Sequence, residues 1–401
     1  MSAAPAPPVA STVTEIDAVL SERVDDLIAR HPAESPTLLG ARFDAGLAFV
    51  HHPVGLGGLG IPATWQSRVD ELLLAAGAPA PAPYRNPLGI GTAVPTLLAH
   101  ASSELQQRHF RPAWTAEEIW CQLFSEPGAG SDLAGLSTRA VADGETWVVN
   151  GQKVWTSFAH VARWGLLLAR TDPDLPKHQG LTMFVVDMHH PGVEVRPLRQ
   201  ATGGQEFNEV FFTDVTIPDT HRVDLRGRGW DVARTTLFNE RATVGARPVP
   251  REDGHIAWLA DLWRSRPELR TPEMHLRITD AWIKVEALRL ANERIRQLAA
   301  TGRPGLEGSG AKVAHTETTQ FVTRLRAELD PDALLRYDAW DPELAPARED
   351  RVAGYHYLRS RPYTVEGGTT QILLSQIADR VLEMPREPAI DKATPWTEIP
   401  R

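Results

Sequence analysis

Apolar residues return every three or four positions in the first stretch of the chain, at Ile16, Val19, Leu20, Val24, Leu27 and Ile28. That spacing predicts a helix with one buried stripe. The pattern repeats from Trp65 to Ala76, and a Pro-Ala stretch at residues 79–83 closes it. From about Trp120 the period changes. The runs Thr146–Val149, Lys153–Ser157, Gly165–Ala169, Leu181–Val186, Val193–Pro197 and Val210–Thr216 are short and rich in β-branched and aromatic residues. Gly, Asp, Asn or Pro separates them, so they predict the strands of a small antiparallel β-domain. Helical spacing returns at Trp230 and lasts to about Met384, in segments such as Ala281–Leu298 and Ala311–Leu325, with Pro248 and Pro250 placed to break or kink an early helix. Residues Arg326 to Arg351 are acidic, proline-punctuated and poor in periodic apolar positions, and read as a loop. The order predicts an α+β chain: an N-terminal α-helical domain over 1–118, a middle antiparallel β-domain over 119–226 and a C-terminal α-helical domain over 227–401.

A chain of 401 residues is long enough for two or three such domains. Its 42% hydrophobic and 23% charged residues are those of an ordinary globular protein. A net charge of −9, with no segment that concentrates Lys and Arg, argues against a nucleic-acid binder. The start of the chain lacks the basic-then-apolar pattern of a signal peptide, and no run of about 20 apolar residues follows, so neither export nor a membrane span is expected. A single cysteine, Cys121, makes no internal disulfide and no Cys-rich metal site. These features place the chain in the cytoplasm, with no metal site.

Two glycine-rich strings invite a ligand. Gly55-Leu-Gly-Gly-Leu-Gly60 satisfies a dinucleotide-binding spacing, but no acidic residue sits about 20 positions on to hold a ribose, and the string reads instead as the approach to a helix begun by Pro62. Leu123-Phe-Ser-Glu-Pro-Gly-Ala-Gly-Ser-Asp132 is different. Its glycines let backbone amides come close to a ligand, and Ser125 and Ser131 add hydroxyl groups. Neither His100 nor His160 stands in a catalytic pattern.

Ser125-Glu-Pro-Gly-Ala-Gly-Ser-Asp132, followed by Asn150-Gly-Gln-Lys-Val-Trp-Thr-Ser157, resembles the paired signature of acyl-CoA dehydrogenases. The resemblance extends to Pro53–Gly60, Pro87–Leu98, Gly203–Val210, Gly229–Leu237 and Gly367–Ile372, and weakens between about 250 and 360. It implies FAD as cofactor, an acyl-CoA thioester as substrate, and a four-helix bundle in the C-terminal domain. By the same resemblance Phe124 and Ser125 face the pyrimidine edge of the flavin, and Ser131 lies near the pantetheine arm. Trp155, Thr156 and Ser157 line the other side, Ser157 near N5. Thr369 and Gln371 open a helix towards the phosphates or ribityl chain, as a helix N-terminus suits an anion.

The reaction needs a carboxylate beside the α-carbon, because that proton is weakly acidic and leaves as hydride passes to the flavin. Many family members carry this base just before a Gly-Thr pair, but here Gly367 stands at that position and Glu366 one residue earlier. A second branch, which isovaleryl-CoA and long-chain acyl-CoA dehydrogenases exemplify, carries it before an arginine on a C-terminal helix, and Phe238-Asn-Glu-Arg241 matches. Glu240 is therefore the first candidate and Glu366 the second, with Arg241 as a substrate contact. The family's strings that hold the FAD adenine half across a subunit interface have no match, and residues 335–342 stand roughly where one belongs. The partners implied are an electron-transfer flavoprotein as acceptor and a homodimer, homotetramer or heterotetramer with a related subunit. The alternatives are a non-catalytic partner subunit, a flavin monooxygenase of the same fold, or a dehydrogenase of acyl-carrier-protein thioesters.

Overall fold

A computed structural model describes residues 12–78, 85–243, 249–300, 307–335, 353–385 and 393–399. The Pro-Ala stretch at 79–83, Pro248, most of the acidic segment (336–351) and the side chain of Arg241 lie outside the described residues.

The first helices are α1 (Val13–Arg30), α2 (Leu38–Asp44), α3 (Gln66–Ala75), α4 (Val94–His100) and α5 (Ser103–Thr115). Thr12 caps α1 reciprocally: its hydroxyl accepts from Glu15 N and the Glu15 carboxylate accepts from Thr12 N, so two orphan amides are satisfied. The predicted stripe is the buried one, with Leu20, Val24 and Leu27 packed on α2 and α3. The Gly55–Gly60 string is a tight turn before α3. A Cβ at Gly58 would strike the carbonyl oxygens of His52 and Phe49, so the glycine is needed for packing.

Eight strands form one sheet: β1 (Trp120–Leu123), β2 (Arg139–Asp143), β3 (Thr146–Ser157), β4 (Trp164–Arg170), β5 (Leu181–Asp187), β6 (Val193–Pro197), β7 (Phe207–Pro218) and β8 (Arg222–Val223). The order is β6-β7-β3-β2-β4-β5-β8, with β1 beside β4. The expected all-antiparallel sheet is corrected here. β1 runs parallel to β4, with Trp120 opposite Trp164 and Leu123 opposite Leu167, because the long connection through β2 and β3 brings the chain back in the same direction. Two of the predicted runs are one strand, β3, whose pairing with β7 slips between Val149 and Gly151 and between Lys153 and Thr156.

β4 is buried along its whole length, since both faces of the sheet are covered. On one face Leu166, Leu168, Met183 and Val185 pack on Val94, Leu97 and Phe110 of the first helices and on Val232 and Ala233. On the other, Leu167, Phe184, Val149 and Val210 pack with Phe212, Val215 and Ile217.

After the sheet come α6 (Gly229–Thr243), α7 (His255–Ser265), α8 (Pro272–Ala300), α9 (Glu307–Leu329), α10 (Pro331–Leu335), α11 (Ala353–Arg359) and α12 (Thr370–Arg380). Ile256, Leu259, Ala281, Val322 and Leu325 make the core of α7, α8 and α9. The loop expected from Arg326 begins later than predicted: α9 continues to Leu329, and Pro331 then starts a short new helix at its first position, where the missing N–H costs nothing. Among the described residues no helix is long and apolar enough to cross a membrane.

Candidate active site

β1 ends where the Leu123–Asp132 string begins, and a buried carboxylate shapes the turn that follows. Glu126 accepts from the backbone amides of Ser137 and Thr138 at 2.6 and 2.8 Å, and from Lys153 Nζ at 2.9 Å. The same ammonium donates to Phe124 O at 2.9 Å. Burial works to raise the Glu126 carboxyl, but the Lys153 ammonium and the hydrogen bonds outweigh it and hold it below the usual carboxylate range. One residue further along β3, Val154 N donates to Ser125 O at 2.9 Å. The Phe124–Ser131 and Trp155–Ser157 segments are thus laced together.

The register slip in β3 falls at Trp155, which takes φ +61. A non-glycine residue in that region signals a local constraint. Its effect is to turn a large apolar ring outward, 63% exposed, with Phe207 edge-on to it at 6.4 Å between centroids. Thr156 points the opposite way, 1% exposed, and its Oγ1 has no hydrogen-bond partner. Ser157 pairs with Phe207 at the end of the ladder.

Glu240 lies in the last turns of α6, and Gln122 Nε2 of β1 donates to its Oε2 at 3.3 Å. Its Oε1 sits 3.7 Å from where a Cβ would stand on Gly367, so the carboxylate reaches the position that has no side chain of its own. Cε of Lys312 from α9 lies 3.8 Å from the same point. The Lys312 ammonium donates to the carbonyls of Tyr363 and Gly368 and so fixes the glycine turn. Burial pulls its pKa down, while Glu366 and Glu240 push it back up. Glu366 is held by Arg359: both its oxygens accept from Arg359 Nη1, at 2.9 and 3.1 Å.

These contacts close a ring. Arg359 also lies over the Phe207 ring at 5.7 Å, and Phe207 touches Trp155. From Trp155 the path runs through Phe207, Arg359, Glu366, Gly367, Glu240 and Gln122 to Phe124 and Ser125, and the Ser125–Val154 bond completes it. Other anticipated residues stand apart from that circuit. Ser131 is exposed beside Asp132, which pairs with Lys177 at 2.7 Å. Thr369 spends its hydroxyl on capping α12, accepting from Ile372 N at 3.1 Å, and Gln371 is exposed in the first turn. His100 is satisfied between Asp224 and Thr235, both at 2.9 Å, and His160 Nδ1 lies 3.2 Å from the Asn208 amide.

Gln122, Lys312, Phe207 and Arg359 were not among the anticipated site residues. Phe207 lies inside a string that carries the resemblance, and Gln122 directly precedes the Leu123–Asp132 string. Lys312 and Arg359 have no sequence signal, since their roles come from helix packing.

The residues fit a flat, polar-edged aromatic cofactor: an exposed indole, an orphaned buried hydroxyl on Thr156, and glycines at 128 and 130 with open space where a Cβ would be. Among the described residues no group of three or more His, Cys, Asp and Glu side chains is arranged to hold a metal.

Comparison with known proteins agrees with this geometry. The family model described as acyl-CoA dehydrogenase, middle domain, matches residues 121–215, and that described as acyl-CoA dehydrogenase, C-terminal domain, matches 227–382. Acyl-CoA dehydrogenase FadE34 of Mycobacterium tuberculosis is 40% identical over 385 residues, which are 95% of this chain and 48% of that protein. The chain therefore spans about half the length of that relative. Acyl-CoA dehydrogenase IpdE1 of the same organism is 36% identical over 345 residues, 86% of each chain. Among solved structures, the Tcur3481-Tcur3483 steroid ACAD superposes with a TM-score of 0.71 at 25% identity, covering 94% of this chain and 99% of that one. The fold is thus that of a flavoprotein oxidoreductase. The chain belongs to the acyl-CoA dehydrogenase family.

Proposed function

We propose that the protein desaturates an acyl-CoA thioester between its α and β carbons with FAD as cofactor, Glu240 acting as the base. The observation that carries this reading is the Glu240 carboxylate beside Gly367, on the same circuit of contacts as Phe124, Ser125 and Trp155. FAD, when bound, supplies the hydride acceptor. Phe124, Ser125, Trp155, Thr156 and Ser157 would hold its ring, with the unpartnered Thr156 hydroxyl gaining a hydrogen bond. Thr369 and Gln371, at the start of α12, would lie towards its phosphates or ribityl chain, and Ser131 and Arg241 towards the thioester.

Glu240 takes the α-proton onto its carboxylate as the β-hydride departs, leaving a carbon–carbon double bond. Glu366 is the weaker candidate, because its charge is already committed to Arg359. The lack of a side chain at Gly367 leaves room for a base that comes from α6 instead. An electron-transfer flavoprotein is the proposed acceptor. Assembly with a related subunit is proposed as well, since the solved steroid ACAD bears a paired name. A cytoplasmic setting accords with Cys121 being buried and unpaired.

The test is to load the purified chain with FAD and add a panel of straight, branched and steroid-side-chain thioesters without oxygen. Loss of the oxidised-flavin absorbance with one class, restored by an electron-transfer flavoprotein, is the expected result. A yellow protein that no thioester bleaches would contradict the reading.

A further inference from the structure

Glu240 is met from three sides. β1 brings Gln122, whose Nε2 donates to Oε2 at 3.3 Å. The turn before α12 brings Gly367, close to Oε1. α9 brings Lys312, whose ammonium is turned to the Tyr363 and Gly368 carbonyls. Lys312 and this carboxylate act on one another, and Glu366, in its pair with Arg359, also acts on Lys312. Gln122 is a neutral neighbour, and it makes a hydrogen bond to the carboxylate.

Gln122 Oε1 is buried and has no partner. A side-chain amide with one end engaged and the other unpaired is an uncommon arrangement, because an unmet buried acceptor costs free energy. It has a use beside a group that changes its protonation. An amide donates from its NH₂ to a carboxylate, and rotation by half a turn presents its oxygen to accept from a carboxylic acid.

We propose that Gln122 is a positioning residue for the base: it aims the Glu240 carboxylate while ionised and, by turning its amide over, accepts the hydrogen bond of the protonated acid that proton abstraction leaves behind. The inference rests on Glu240 being the base. No bond to Gln122 forms or breaks; the proton moves from the α-carbon to Glu240 and stays there until it is lost to solvent.

The charge-assisted bond to the carboxylate is stronger than the bond to the neutral acid, so the net effect of Gln122 is to lower the base's pKa, and aim affects the chemical step more than binding. Three variants separate these effects: Gln122→Met, which removes both polar ends, Gln122→Glu, which keeps the shape and adds a like charge, and Glu240→Gln as reference. FAD content and melting midpoint establish that each is folded. The rate of flavin reduction is then followed against pH with saturating and limiting thioester.

Gln122→Met should move the acidic limb up by about one pH unit and cut the maximal rate about tenfold, with KM within about twofold of the parent. Gln122→Glu should move the limb further in the same direction. If Glu240→Gln is inert while the Gln122→Met limb coincides with the parent's, or only KM changes, the positioning role is overturned and the base assignment stands. If Glu240→Gln reduces its flavin like the parent, the base assignment falls and this role with it.

Discussion

Lys153 Nζ stands 2.9 Å from Glu126 Oε1 with its side chain wholly buried, and one ion pair thereby binds the Leu123–Asp132 string to β3, the strand that carries Asn150–Ser157. Each charge needs the other, since removing one partner of a buried pair leaves the second uncompensated. Lys153→Met is expected to destabilise the protein by about 3–5 kcal/mol, and Lys153→Met with Glu126→Leu by less. Chemical denaturation of both variants checks this. A single variant as stable as the parent would show that the pair holds nothing.

His52 and His109 are buried, and their pKa values are each lowered to about 4. Burial is the main cause for both, with the neighbouring charges of His51 and Arg108 adding to it. His109 lies edge-on between Trp120 and Trp164. A base whose folded pKa is depressed binds fewer protons than in the unfolded chain, so its stabilising effect is complete above the unfolded value near 6.5 and is lost as pH falls towards 4. Each ring should contribute a slope of about 1.4 kcal/mol per pH unit in that window. Replacing His109 by Phe should remove one such share from the unfolding curves between pH 6.5 and 4. An unchanged slope would refute the assignment.

Trp155 presents an indole to solvent in a conformation that the chain does not adopt without constraint. Its contribution to folding is small by its exposure, and its contribution to a stacked ring is large. Trp155→Ala should weaken FAD retention by about tenfold while the apoprotein's unfolding free energy changes by no more than about 0.5 kcal/mol. FAD titration by fluorescence and apoprotein denaturation measure the two. Full FAD affinity in the variant would mean that the ring serves another purpose.

The strands and helices that carry strong periodicity were legible because period two and period 3.6 follow directly from which faces are buried, and Val193–Pro197 is a strand with the bounds expected of it. β1 was not legible. Trp120–Leu123 has four residues and is covered on both faces, so it shows no alternation, and its direction relative to β4 is fixed only by the long connection. α10 was missed because Asp330-Pro331 reads equally as a helix end and a helix start. In the candidate site, Glu240 could be named because Phe238-Asn-Glu-Arg241 resembles the string that carries the base in one branch of the family, and Gly367 because it stood in the place of an acid. Gln122, Lys312 and Arg359 reach the carboxylates from three different elements, and no local pattern records a meeting made by tertiary packing.

The proposed chemistry requires that Glu240, and not Glu366, takes the proton. Its most direct test is anaerobic flavin bleaching by a reactive thioester in FAD-loaded Glu240→Gln and Glu366→Gln. Loss of the proton acceptor should slow reduction in Glu240→Gln by at least about a thousandfold, and Glu366→Gln, whose carboxylate serves Arg359, should stay within about tenfold of the parent. Parent-like bleaching by Glu240→Gln together with an inert Glu366→Gln would contradict it.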